Sequence, residues 1–440
     1  MSIPTGSAIG IKQEQVGFRT VPRIVRAGAR STVTITPRFD HVAFSEQTEY
    51  QVLVTPMENR GCGPDFGGPG LPQWSLQDGS IEIHADFPSE QEYSIVIQEI
   101  QPKAPRTIGD FRVYALEEDL HSLRPWKGDF HMHSNRSDGR ESPAYVAASC
   151  RRIGLDFMAI TDHGQYGPSL EAQAAFTDLP VDLRIFAGEE VHPPENPIHI
   201  INFGGAESVN AMFEFPGYRE EVDEIIARSG NLPSELNPYY YGSSLWCFRK
   251  IREIGGLSIF CHPYWVFHHR YHIPASLADR MFADRPFDAY ELIGGYFPQE
   301  AESNALQVLR YSEERARGNN FPVVGVSDAH GCDRGELFGW YYSIVFAQTA
   351  DLDDLIAAVR QGRSVAVEHL PGSSPRAHGP MREARYAHFL LREVLPEHDA
   401  VCRPEGEAMV AFLAGDERAR RALADATGSV GNYYDDCFGT

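Results

Sequence analysis

Residues 157–164 read FMAITDHG, a short apolar run that breaks off into Asp162 and His163. A run of this kind suits a strand buried on both faces. The pattern recurs in RIFAGEEV (184–191), IHIINF (198–203), LSIFCH (257–262), AYELIG (289–294) and VVGVSDAH (323–330), with amphipathic helical stretches between them. One helix has a clear start, with Ser142 as N-cap and Pro143 at the first helical position. Another, DLDDLIAAVRQG (351–362), carries acids in its first turn and Gly362 as its stop. Strand–helix alternation sustained over about 240 residues predicts an α/β region built on a parallel sheet or barrel.

On the N-terminal side the texture is different. Ser31–Pro37, Tyr50–Pro56, Ser80–Phe87 and Glu92–Ile100 are short alternating runs separated by turn residues, which predicts a small antiparallel β-sandwich. The Gly/Pro-rich stretch NRGCGPDFGGPGLP (59–72) is read as loop. On the C-terminal side EARYAHFLLREVL (383–395) reads as helix, and GSVGNYYDDCFGT (428–440) as an unstructured end. The expected organisation is a β-rich domain over 1–120, an α/β region over 121–370 and a helical extension over 371–440. There are no internal repeats.

With 440 residues the chain is long enough for two or three domains, and its 42% hydrophobic and 23% charged content is ordinary for globular proteins. Its formal charge of -22 repels polyphosphate backbones, which argues against a general nucleic-acid binder. The seven cysteines lack the CxxC spacing of a thiolate zinc site. With no signal-like N-terminus and no apolar run of membrane-spanning length, the expectation is a cytoplasmic protein with no membrane partner. Within the first 38 residues Lys12, Arg19, Arg23, Arg26, Arg30 and Arg38 face Glu14 alone. Such a basic arm is expected to dock on its own acidic chain or on a neighbouring subunit of a homo-oligomer.

The chemistry lies where the apolar runs end. GDFHMHSNRSDG (128–139) places His131 and His133 at i and i+2, so in an extended strand both imidazoles face one side. Asp138 follows beside Gly139, where a turn can swing it back. Asp162 and His163, then Glu189, Glu190, His192 and His199, then His262, then Asp328 and His330 sit at later strand ends. In barrels and doubly wound sheets such ends converge on one mouth. Nitrogen and oxygen donors of this kind suit Zn, Mn or Fe. Any single histidine is ordinarily a packed or surface residue; the ordered set is what carries the reading. Glu189 and Glu190 point to opposite faces, so only one enters the site. Asp162 is expected to orient His163 or cap the following turn, and His192 is left open between bystander and pocket residue.

Taken in order, HMHSNRSDG, AITDHG, GEE with a following His, CHP and SDAH resemble the signature of the PHP (polymerase and histidinol phosphatase) metallohydrolases over about residues 128–367. The resemblance implies a distorted (β/α)7 barrel with two or three divalent metals. It assigns His131, His133 and Asp328 to the first metal, Glu190 as a bridge, His199 and His262 to the second metal, and Asp138, His163 and His330 to the third. Glu190, Asp328 and His262 are the residues it places at the catalytic centre. A preceding β-domain is similar to the branch that includes carbaryl (carbamate) hydrolases.

The implied nucleophile is a metal-bridging hydroxide. The chain lacks a GxSxG elbow, a P-loop and a GxGxxG, so serine acyl transfer and Walker-type nucleotide hydrolysis have no support. The first functional reading is a phosphoesterase on a small phosphate ester. The alternatives are a carbamate, amide or ester hydrolase and a non-catalytic binding or regulatory protein. The stretch HPYWVFHHRYH (262–272) either lines the mouth, with aromatics for an apolar leaving group and Arg270 for a phosphate, or covers the barrel. Arg136 and Arg140 either meet an anion or pair with nearby carboxylates.

Overall fold

The structure, a computed structural model, describes residues 11–58 and 71–440. The predicted loop at 59–72 therefore lies almost wholly outside the described residues, as does Cys62. Contacts divide the chain into two compact units, a β unit (residues 11–124, 386–401 and 428–440) and an α/β unit (residues 125–385 and 402–427).

In the β unit two four-stranded sheets share one apolar core. One orders Phe18–Val21, Ala29–Pro37, Ser80–Phe87 and Gln73–Gln77; the other orders Ile24–Arg26, Arg106–Leu116, Gln91–Glu99 and Tyr50–Pro56. Alternate residues such as Val33, Ile35, Ile81 and Ile83 from the first sheet and Ile95, Ile97, Phe111 and Val113 from the second fill the interior, as period-2 patterning requires. The pairing is antiparallel except for Ile24–Arg26, which runs parallel to Arg106–Leu116. The basic arm folds onto acids of this same unit: Lys12 pairs with Glu393, Arg19 with Asp436, and Arg23 and Arg38 with Glu397 at 2.7 and 3.2 Å.

The expected unstructured end is a correction. Ser429–Phe438 is a helix, bounded by Gly428 and Gly439 in left-handed conformation. Val430, Tyr434, Cys437 and Phe438 are its buried face. That i, i+4, i+7, i+8 spacing is diluted in the sequence by Gly431, Asn432 and two aspartates.

The α/β unit is mixed rather than purely parallel. A six-stranded sheet orders Arg184–Phe186, Phe157–Ala159, Arg124–Asp129, Tyr341–Ala347, Ser364–Glu368 and Arg376–His378; a five-stranded sheet orders Gly188–Val191, Ile200–Phe203, Leu257–Phe260, Ala289–Gly294 and Val323–Val326. Ile200–Phe203 runs antiparallel to both its neighbours. The loop before it is too short for the crossover helix that a parallel connection needs. RIFAGEEV is likewise two strands in two sheets rather than one. The break falls at Ala187, and at Gly188, which opens the second strand, a Cβ would stand 3.1 Å from Ala159 Cβ and from Thr161 Cγ2.

The two sheets touch at single-residue parallel bridges, His163 with Glu190 and Met132 with Ala329. Both bridges fall among the candidate ligands. Helix Pro143–Arg152 starts as expected, its N-cap Ser142 accepting from Tyr145 N. From it the buried Arg151 pairs with Glu405 at 2.9 Å and with Asp156 at 3.2 Å. No helix among the described residues is long and apolar enough to cross a membrane, and the six described cysteines are all buried and none is in a disulfide.

Candidate metal centre

His131 and His133 follow the strand Arg124–Asp129, and Phe130 and Met132, which alternate with them, are buried in the core. The segment is pinned to the SDAH stretch by His133 N–H to Ala329 O and Asp328 N–H to His131 O, both 2.9 Å. The buried Asp129 braces the same junction, accepting from His131 N at 3.2 Å and Ser327 N at 3.1 Å. Burial pushes its carboxyl up to about 7. Asp328 is thereby held 3.2 Å from His131 Nε2 and 2.9 Å from His133 Nε2.

Glu190 is the hub. Its carboxylate is fully buried, and six histidines bring a ring nitrogen within 4 Å of it. His199 lies at 2.8, His192 at 3.2, His262 at 3.4, His131 at 3.7 and His133 at 3.8 Å, with His163 in direct contact. Glu189 faces the other way and is saturated by Ser208 Oγ, Val209 N, Asn202 Nδ2 and Asn210 Nδ2 at 2.6–3.0 Å. The pleat thus separates the two acids, and Glu190 is the one that enters the cluster.

A tight turn returns Asp138 to the site. Gly139 N–H bonds Ser134 O at 2.9 Å, and a Cβ on Gly139 would lie 2.7 Å from the His133 carbonyl, which only glycine avoids. Asp138 then meets His163 Nε2 at 3.4 Å and His330 Nε2 at 3.3 Å. His330 Nδ1 lies 2.8 Å from Asp328 O, which turns its Nε2 toward Asp138.

The expected role of Asp162 changes. Its carboxylate accepts from Ser134 N (2.8 Å), Ser134 Oγ and Ser137 Oγ (both 2.5 Å), so it holds the turn carrying Asp138 rather than the His163 ring. His192 belongs to the cluster, stacked on His199 with centroids 4.1 Å apart.

Two candidate ligands, His262 (φ 24°) and Asp328 (φ 49°), sit in the left-handed region. Non-glycine residues are held there only where surrounding structure over-determines them, and such positions cluster at functional sites. The electrostatics are equally divergent. Burial drives His199 down to about 3 despite Glu190. Burial also opposes charge on His163, yet Asp138 and Glu190 outweigh it and push the imidazole up to about 10. Hydrogen bonds from His163 and His330 hold Asp138 well below the usual carboxylate range.

The donor set fits divalent metal. Both oxygens of Glu190 and the Nδ1 atoms of His133 and His199 are buried without a hydrogen bond, a costly arrangement unless something binds there. His133, Asp138, His163 and His330 form one group with ligand atoms within 4.8 Å of one another; His131, His133 and Glu190 form a second, and His163, Glu190 and His192 a third. His131, His133 and Glu190 form the dry floor, whereas Asp138, His163, His192 and His330 are partly exposed at the mouth.

Beside the mouth, Val266–Phe267 and Arg270–Tyr271 form a hairpin with His268 and His269 in the left-handed turn. It brings the Trp265 ring 6.1 Å and the His272 ring 5.3 Å from that of His199, so the stretch lines the mouth. Arg136 and Arg140 pair instead with Glu171 at 2.7 Å and Glu336 at 3.0 Å. Sequence reading passed over two buried acids, Asp129 and Glu291. The available signal was an acid inside an otherwise apolar strand, as in AYELIG.

No protein-family model matches the chain. A stretch of 94 residues is 39% identical to the DNA polymerase/3'-5' exonuclease PolX of Bacillus subtilis; it makes up 21% of this chain and spans only 16% of the polymerase. Among solved structures, one similar chain is a two-domain protein from Bacteroides vulgatus, containing a predicted PHP-like metal-dependent phosphoesterase. It shares 18% identity with a TM-score of 0.37, covering 56% of this chain and 66% of that one. Another is an amidohydrolase from Chromobacterium violaceum with bound sulfate and no metal, at 19% identity and a TM-score of 0.31, covering 46% and 87%.

Proposed function

We propose that this chain is a metal-dependent hydrolase of the PHP type. The observation that carries the reading is the buried Glu190 carboxylate ringed by six histidine nitrogens within 4 Å. In this reading His131, His133 and Asp328 would hold a first metal, His199 and His262 a second, and Asp138, His163 and His330 a third, with Glu190 as a shared acid among them. The spacings of Asp328 and Asp138 to their paired histidines support that partition. Taken as seams, the two bridges would close seven strands into a distorted barrel. Bound metals would supply activation of water and polarisation of the scissile bond. The chain's own residues do the rest. Asp162 and Asp129 fix the loops that carry the ligands, and the buried floor of His131, His133 and Glu190 excludes bulk water. The open rim of Asp138, His163, His192 and His330 leaves a substrate oxygen room to approach.

The substrate class proposed first is a small phosphate ester. A second reading, hydrolysis of a carbamate or carboxylic ester, is favoured by the aromatic wall of Trp265 and Phe267 and by the pairing of Arg136 and Arg140 with carboxylates. The test is initial rates with Mn or Zn on matched nitrophenyl and naphthyl phosphate monoesters, diesters, carboxylic esters and methylcarbamates, with His131→Ala as control. Turnover of phosphates alone supports the first reading and turnover of carbamate or ester alone the second. Metal-independent turnover, unchanged in His131→Ala, would sink both.

A further inference from the structure

Glu291 lies in the middle of the strand Ala289–Gly294, every residue of which is buried, and is itself fully buried. The strand's register shifts between Glu291 and Ile293, the kind of irregularity that re-aims a side chain. Neither Glu291 oxygen makes a hydrogen bond, and Oε2 stands 3.5 Å from His131 Nδ1, also buried without a partner. His262 Nδ1 is a further buried nitrogen without a hydrogen bond. His131, Cys261, His262 and Glu291 each offer an atom within 4.8 Å of the others.

The two rings direct their other nitrogens into the cluster. His131 Nε2 is 3.2 Å from Asp328 and 3.7 Å from Glu190, and His262 Nε2 is 3.4 Å from Glu190. A neutral imidazole that gives its Nε2 lone pair to a metal carries its proton on Nδ1, and that proton needs an acceptor.

We infer that Glu291 is a positioning residue, the shared acceptor behind His131 and His262 that fixes their tautomer and ring orientation for metal binding. The inference rests on the hydrolase reading above. Because those two histidines are assigned to different metals, one carboxylate would set the geometry of both.

The full-length chain, stripped with a chelator, is titrated with Zn against a competing chromophoric chelator as wild type, Glu291→Gln and Glu291→Met, with stoichiometry by elemental analysis. The expected result is the same number of metals at saturation, with affinity about 10–100-fold weaker in Glu291→Met. Glu291→Gln, which keeps an acceptor oxygen, should recover most of that loss. Co-substituted Glu291→Met should show shifted ligand-field bands. Independently of any folding defect in the Met variant, Zn-loaded wild type should show downfield imidazole N–H proton resonances that move in Glu291→Gln. Unmoved resonances, or wild-type affinity in a folded Glu291→Met, would overturn the role. So would loss of a whole metal equivalent at saturation, because Glu291 would then be a ligand. Wild type that binds no metal would instead overturn the hydrolase reading.

Discussion

Glu189 and Glu190 are consecutive residues of the strand Gly188–Val191, both fully buried, with carboxylates on opposite faces. Glu189 is hydrogen-bonded by Ser208, Val209, Asn202 and Asn210, and Glu190 is surrounded by histidines. Opposite effects follow for the same conservative change. Glu190→Gln should lower metal affinity more than about 100-fold, exceeding the cost of losing an outer partner, and abolish turnover. Glu189→Gln should keep metal stoichiometry and lose about 1–3 kcal/mol of stability by urea unfolding, because the amide cannot accept all of Glu189's bonds. Equal metal loss in both would contradict the separation of faces.

The pH dependence of the metal-free protein follows from His163. Its folded value is raised to about 10 from an ordinary value near 6.5. Stability from this group is therefore present in full below about pH 6.5 and lost as pH rises toward about 10. The melting temperature of chelator-treated protein should fall across that window, and His163→Ala should flatten the fall. A flat profile in wild type would count against the Asp138–His163–Glu190 arrangement.

The aromatic wall is separable from the metal cluster. Trp265→Ala should raise KM for naphthyl substrates about tenfold, with kcat changed less, as expected when binding common to ground and transition states is removed. Metal content should not change. Equal KM values for naphthyl substrates in wild type and variant would remove the ring from the substrate path.

Arg151 and Glu405 test the scaffold of the α/β unit. Both are buried, 2.9 Å apart, and Glu405 also accepts from Asp182 N at 2.7 Å and Leu183 N at 3.2 Å. Glu405→Ala should cost about 3 kcal/mol, the low end for stranding a buried charge, since Asp156 still partners Arg151. Urea unfolding measures it. A loss below about 1 kcal/mol would show that the pair behaves like an exposed one.

Much of this was legible in the chain. Tyr50–Pro56, Ser80–Phe87 and Ala289–Gly294 coincide with runs readable from alternation or apolar continuity, and the Ser142–Pro143 helix start from local capping chemistry. These are local signals, written in residues that touch one another along the chain. The histidines and acids at strand ends were readable for the same reason: a strand delivers its last residues in a known direction.

What only the tertiary structure decided depends on residues far apart in sequence. The break of RIFAGEEV into two sheets, the antiparallel Ile200–Phe203, the capture of the Asp138 turn by Asp162 and the entry of His192 into the cluster all follow from cross-strand neighbours. The helix Ser429–Phe438 exists because four apolar residues find a buried face, which composition alone disguised. Glu291 is the sharpest case. In sequence it is one acid among 61 acidic residues, and only burial against His131 gives it a partner.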